Sequence, residues 1–285
     1  MVNGLRLHYR DWGRENAPPL VLLHGWGDHS RVWDTVAAVL ADDFRVLALD
    51  QRGHGESQWA SAWAEYSLEN KVADLATFVD SLGLAQLSLL GHSGGGGHPA
   101  FTYTSEHPER VRRLVIVDAG PGPRDPVDSI PPPAPFDDIE FTVQDFDDPE
   151  VVFAGMRALW THRYTPDPEL RHWFQNNIKQ RADGHWMMRW DGVLGSPNGL
   201  KIPGGRDAEQ HYKVLAKIAC PTLIVRGEAS HSTSRAKVQR MMGTIPDCRV
   251  VEITRATHYP HTDNAPDFLA AVQPFLIQGS PQYRR

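Results

Sequence analysis

Short apolar runs recur along the chain: LRLHYRDW (5–12), PLVLLHG (19–25), FRVLALD (44–50), LSLLGHS (87–93), RRLVIVD (112–118), PTLIVRG (221–227) and CRVVEI (248–253). Within them PLVLLH, RVLALD, LSLLG, LVIVD and TLIVRG are continuously apolar, the pattern of strands covered on both faces of a parallel sheet. Between the runs the period changes. SLENKVADLATFVDSLG (67–83) sets Val72, Leu75, Ala76, Val79 and Leu82 on one stripe, with Ser67 placed to cap a helix and Gly83 to end it. VWDTVAAVLADD (32–43), SRAKVQRMMGTI (234–245) and APDFLAAVQPFL (265–276) repeat the pattern. Strand and helix in alternation predict an α/β protein with a mainly parallel central sheet flanked by helices.

The alternation stops over 121–215. A Pro- and Asp-rich passage, PGPRDPVDSIPPPAPFDD, reads as a stiff connector into tryptophan-rich amphipathic segments. DPEVVFAGMRALW (148–160) and PELRHWFQNNIKQ (168–180) are predicted helices, the first capped by Asp148. The expected organisation is therefore a core domain of 1–120 and 216–285, with 121–215 as a helical cap inserted over the sheet.

Composition narrows the function by exclusion. The 285 residues carry a net charge of −6 and a pI near 6.1, which recommends no polyanionic partner, so no nucleic acid is expected. The first residues, MVNGLRLHYRDWG, lack the basic patch and apolar stretch of a signal peptide, and no apolar run approaches the roughly 18–20 residues of a membrane span. A cytoplasmic protein without a membrane partner is the expectation, its two cysteines, Cys220 and Cys248, reduced. The 14 histidines are scattered without a metal-binding spacing, and the glycines at 94–97 lack the Gly-Lys-Ser/Thr ending of a phosphate loop. No metal, nucleotide or other cofactor is expected.

Candidate chemistry lies at the ends of the apolar runs. Gly91-His92-Ser93-Gly94-Gly95 is a G-x-S-x-G pattern between a predicted strand and a predicted helix. Small residues two positions either side allow the tight turn that presents a serine hydroxyl at the sheet edge. The N–H of Gly94 then faces a developing oxyanion. His24-Gly25-Trp26-Gly27 closes an earlier run and offers the Trp26 N–H as a second donor. His258, in ATHYPHTDNAP after the last strand, stands where a general base is needed; His261 lies further from the strand end. Asp50-Gln51-Arg52-Gly53-His54-Gly55 reads as loop scaffolding.

Together LLHGWGDHSRVW, ALDQRGHGES, LLGHSGGG and ATHYPHTDNAPDF resemble the α/β-hydrolase fold superfamily over essentially the whole chain. The resemblance implies Ser93 as nucleophile, His258 as base, and Trp26 and Gly94 as oxyanion donors. It implies a pocket between cap and sheet for a small, apolar or aromatic substrate, with His24, His92, Trp160 and Trp186 as candidate lining. This chain departs from the family in carrying Gly94 where a bulky residue is usual, and in running four glycines into His98-Pro99, which suggests a more open elbow.

A second departure concerns the acid. The family usually has its carboxylate just after the strand PTLIVRG, where this chain has Ser230 and His231. Three readings compete. The site is incomplete; or Glu228, at the strand end, serves; or Asp118, at the end of RRLVIVD, serves from a neighbouring strand whose carboxyl end shares the same edge. The third arrangement is similar to that of certain haloalkane dehalogenases, lactone hydrolases that open a macrocyclic ring, and cofactor-independent dioxygenases. With it, the expected activity is cofactor-independent hydrolysis of a carboxylic ester or lactone. The alternatives are a cofactor-free dioxygenase using the His-Asp pair, and a ligand-binding protein without turnover.

Overall fold

The structure, a computed structural model, describes residues 1–122, 145–195 and 207–278. The proline-rich connector expected from 121 lies almost wholly outside the described residues. Strands β1 (Tyr9–Trp12), β2 (Pro19–Leu23), β3 (Arg45–Leu49), β4 (Leu87–His92) and β5 (Val111–Val117) form the first part of the central sheet. Two short insertion strands and a third, β6 (Asp145–Phe146), β7 (Ile178–Gln180) and β8 (Trp186–Met188), form a separate antiparallel sheet in the order β6-β8-β7. The last strands, β9 (Thr222–Gly227) and β10 (Cys248–Ile253), complete a seven-stranded central sheet in the order β1-β3-β2-β4-β5-β9-β10.

Every pairing in the central sheet is parallel except that of β1 with β3. The two runs that lack apolar continuity are its edges. β1 alternates exposed and half-buried residues, and β10 is only partly covered, whereas β2, β4 and β9 are buried almost throughout. Alternate side chains feed two cores: Leu20 and Leu22 of β2 enter one, Val21 and Leu23 the other.

Helices α1 (Asp34–Leu40), α2 (Leu68–Ser81), α3 (His98–Glu106), α4 (Pro149–Ala158), α5 (Asp167–Asn177), α6 (Ala208–Leu215), α7 (Arg235–Thr244), α8 (Pro260–Asp263) and α9 (Ala265–Ile277) follow in chain order. The expected caps form. Ser67 accepts from Asn70 N at the start of α2, and Asp148 accepts from Glu150 N at the start of α4. One expected helix is too long. Residues 178–180 are strand β7, because α5 ends at Asn177 and Ile178 turns extended to pair with Met188. The segment expected to be a helical cap thus carries its own three-stranded sheet.

Strand order explains where chemistry can collect. The chain goes from β2 outward to β3, then returns past β2 to β4 and proceeds the other way, so the order reverses between β2 and β4. Ligand sites in open α/β sheets lie at the carboxyl ends of strands at such a reversal. Register brings the ends level: Leu23 pairs with Gly91, and His92 with Val117. His24, Ser93 and Asp118 therefore leave the sheet side by side.

Candidate active site

Ser93 follows β4 directly and has φ 56°, a left-handed backbone that a serine rarely adopts. The turn is held by packing on glycine. A Cβ on Gly95 would lie 2.6 Å from the Trp26 nitrogen, so the β2 turn and the elbow can touch only because that side chain is missing. The open elbow suggested by four successive glycines is thus absent at Gly95. Gly94 alone has room, and a Cβ there would meet the ring of His98 at 3.4 Å.

His258 Nε2 is 2.8 Å from Ser93 Oγ, and His258 Nδ1 is 2.7 Å from Asp118 Oδ2. Asp118 also has a left-handed backbone, φ 43°, and its side chain is fully buried. Asp118 Oδ2 accepts a second hydrogen bond, 2.7 Å long, from the Ser230 hydroxyl. Ser230 Oγ in turn accepts from the backbone N–H groups of Ser232 and Thr233, each at 3.1 Å. The serine found where a carboxylate was expected thus holds the carboxylate that comes from β5. Glu228 is exposed and accepts from Arg255 N, while His258 Nδ1 is taken by Asp118.

The loop bearing His258 is fixed from below. Asp263 Oδ2 accepts from Thr257 N and Thr257 Oγ1, and Asp263 Oδ1 from Thr165 Oγ1 of the insertion. Burial pushes the Asp263 carboxyl upward, against these three donors.

Two residues expected to line the pocket prove to be framework. His24 is fully buried: its Nδ1–H donates to Gly25 O at 2.7 Å and its Nε2 accepts from Gln51 N at 3.0 Å. Because a peptide is planar and trans, fixing the Gly25 carbonyl aims the Trp26 N–H on the opposite side of the same plane. His92 is also fully buried, and its Nε2–H donates to the carbonyl of His258 at 2.8 Å. It steadies the backbone of the base rather than meeting a ligand. A third histidine, His54, accepts from Gly27 N at 3.2 Å while its Nδ1–H donates to Arg52 O, in keeping with a scaffolding role for that loop. Beneath the same turn, Lys71 Nζ sits 4.3 Å from the centre of the Trp26 ring, and burial lowers this amine to about 7.

Trp160 lies against the site. Its ring meets His231 edge-on with centroids 5.8 Å apart, and His231 meets His258 in the same way at 5.5 Å. Trp186 pairs across the insertion sheet with Phe146 and Gln180. It is half-buried and packs against the core, and among the described contacts none joins it to Ser93, His258 or Asp118. Sequence reasoning missed Trp173 and Asn177 of α5. Trp173 Nε1 donates to Asp28 Oδ1 at 2.7 Å, and Asn177 Nδ2 donates to Gly27 O at 2.8 Å. The helical period was the available signal, since Asn177 continues the buried stripe of Leu170, Trp173 and Phe174.

The buried histidines have a cost at low pH. Burial lowers His24 and His29 to about 4, and holds His54, His92 and His261 well below the usual histidine value of 6.5. Unfolded, each takes a proton near pH 6.5; folded, each stays neutral. Their contribution is therefore complete above about pH 6.5 and is lost as pH falls toward the folded values. One proton taken up on unfolding changes stability by about 1.4 kcal/mol per pH unit, and several act together. The melting temperature is expected to fall steeply between pH 6.5 and 5; a flat profile by scanning calorimetry over that range would contradict this account.

Comparison with known proteins agrees with the fold. The family described as alpha/beta hydrolase fold matches residues 18–265. A bifunctional esterase/perhydrolase from Acinetobacter calcoaceticus is 29% identical over 237 residues, 79% of each chain. A non-heme chloroperoxidase from Streptomyces lividans is 29% identical over 231 residues, again 79% of each. Among solved structures, an E-2-(acetamidomethylene)succinate hydrolase superposes with a TM-score of 0.79 at 24% identity, over 96% of both chains. An enol-lactonase from Burkholderia xenovorans superposes with a TM-score of 0.74 at 23% identity, over 96% of this chain and 98% of that one. With its parallel sheet, its serine elbow after β4 and a matching profile over most of its length, the chain belongs to the α/β-hydrolase fold family.

Proposed function

We propose that this protein is a cofactor-independent serine hydrolase that cleaves a carboxylic ester or lactone through an acyl-enzyme. The observation that carries the reading is the continuous relay Asp118–His258–Ser93, with both links at hydrogen-bond distance. His258 Nε2 takes the Ser93 proton as Oγ attacks the carbonyl carbon. The carbonyl oxygen becomes an oxyanion between the Trp26 and Gly94 N–H groups, where one such donor is worth about 10²–10³ in rate. Collapse breaks the bond to the leaving oxygen, which receives the proton from His258. Water then attacks the acyl-Ser93 and gives a proton to the same nitrogen; the acyl–Oγ bond breaks to release the acid, and His258 returns the proton to Ser93 Oγ.

Asp118 fixes the Nδ1–H tautomer of His258 and balances the imidazolium. The esterase named among the relatives supports ester cleavage. Trp160 beside His231 supports an apolar or aromatic portion in the substrate, bound beneath residues 121–215 acting as a cap.

The test is covalent. Incubation with a fluorophosphonate is expected to add one phosphonyl group to the intact mass, and Ser93→Ala is expected to abolish the adduct. A folded wild-type protein that stays unlabelled would overturn the hydrolase reading. Oxygen uptake with a hydroxyquinolone would then support the dioxygenase alternative, and ligand-induced stabilisation without product the binding-protein alternative.

A further inference from the structure

Four consecutive residues of the turn after β2 are tied to the insertion. The Trp26 indole N–H donates to Leu194 O at 3.2 Å. Gly27 O accepts from Asn177 Nδ2 at 2.8 Å. Asp28 Oδ1 accepts from Trp173 Nε1 at 2.7 Å, and His29 Nε2 donates to Trp173 O at 3.1 Å. Asn177 is fully buried, and its described hydrogen bond through Nδ2 is the one to this turn. His24 and His54 hold the two preceding peptides, at Gly25 O and Gly27 N, so the turn is gripped from the sheet at residues 25–27 and from the insertion at residues 26–29.

We propose that Asn177 and Trp173 are positioning residues for the oxyanion hole: by holding Gly27 and Asp28 they fix the direction of the Trp26 N–H. The inference rests on the hydrolase reading and extends it. The N–H must sit within about 3 Å of the oxyanion to stabilise it; His24 holds its peptide plane at Gly25 O, and the bonds to Gly27 and Asp28 hold the chain that leaves that plane. With the clamp released, the turn keeps its bonds to the histidines beneath but loses its outer support. A displacement near 1 Å at a reacting group costs on the order of 10² in rate. Ground-state binding of the substrate, made largely by the pocket, does not depend on that donor, so the loss belongs in kcat.

The experiment compares wild-type protein with Asn177→Leu, Trp173→Phe and the neighbouring control Asn176→Ala, using 4-nitrophenyl acetate. Asn177→Leu and Trp173→Phe are each expected to lower kcat about 10–100-fold with KM changed less than about threefold. A trifluoromethyl ketone, which forms a tetrahedral oxyanion adduct with a serine, should lose affinity in the same proportion; acetate, the product, should not. Asn177→Gln is expected to recover part of the loss if its longer amide reaches Gly27 O. Asn176→Ala should match wild type.

The ketone readout separates positioning from general destabilisation, since a partly unfolded sample binds all ligands less in equal measure. An active wild type with unchanged kcat in folded Asn177→Leu and Trp173→Phe would overturn the inference alone. So would parallel losses for ketone and acetate. A wild type that neither hydrolyses the ester nor takes up fluorophosphonate would overturn the hydrolase reading and this inference with it.

Discussion

Asp118→Asn is expected to lower turnover about 10⁴-fold while leaving the fold in place, the magnitude seen when a buried triad carboxylate becomes an amide. The physical reason is the tautomer. Asp118 Oδ2 accepts from His258 Nδ1, which leaves Nε2 as the lone pair that faces Ser93. An amide turned to present its N–H at that position stabilises the opposite tautomer, and Nε2 then carries a proton it cannot accept again. The position also demands a side chain that tolerates φ 43°, which asparagine does.

The second half of the experiment is more informative. Ser230 Oγ lies 2.7 Å from the Asp118 oxygen and already accepts two backbone N–H groups. Ser230→Asp in the Asp118→Asn background sets a carboxylate where those donors can hold it, within reach of the same imidazole. It is expected to recover turnover at least about 10-fold over the single variant, through the same hydrogen-bonded pairing. No recovery in a folded double variant would mean that the approach to His258 from β9 is closed. Near-normal turnover in Asp118→Asn alone would remove Asp118 from the mechanism.

The largest effect on stability is expected at Asp74. Arg52 Nε and Nη2 donate to its two carboxylate oxygens at 2.6 and 2.7 Å, and the side chains are 4% and 3% exposed. Asn3 Nδ2 donates to the same carboxylate. Asp74→Ala strands a buried guanidinium, and breaking such a pair costs about 3–5 kcal/mol. For a chain of this size the melting temperature should fall by roughly 10 °C. Replacing both partners, Arg52→Met with Asp74→Leu, should cost much less, because no charge is then left buried alone. Equal losses in the single and double variants would show that the pair's shape, not its charge, carries the effect.

How much of this was legible before the structure depends on the range of the interaction. Continuous apolar runs report burial on both faces, so the five inner strands were readable as such, and the broken runs 5–12 and 248–253 became the edges. That Ser93, His258 and Asp118 would meet was readable because each sits within a few residues of a strand's carboxyl end, where parallel register levels them. The roles of His24 and His92 were not. A histidine beside a motif looks the same in sequence whether its ring faces a ligand or a carbonyl, and here both face carbonyls. Nor was the strand at 178–180 readable, since its pairing with Met188 depends on a turn that a helical period cannot register. Ser230 was read as an absence; its hydroxyl partner is 112 residues away.

The grip of the insertion on residues 26–29 bears on how proteins of this fold are recombined. Each of those four residues is bonded to a partner between 144 and 168 positions further along the chain. A new pocket grafted from a relative between β5 and β9 would arrive with its own side chains where Trp173, Asn177 and Leu194 now stand. Substrate preference and reaction rate would then change together, even with every catalytic side chain retained. The portable module is the inserted segment with the four residues it holds, and chimeras that move both should keep turnover where those that move one lose it.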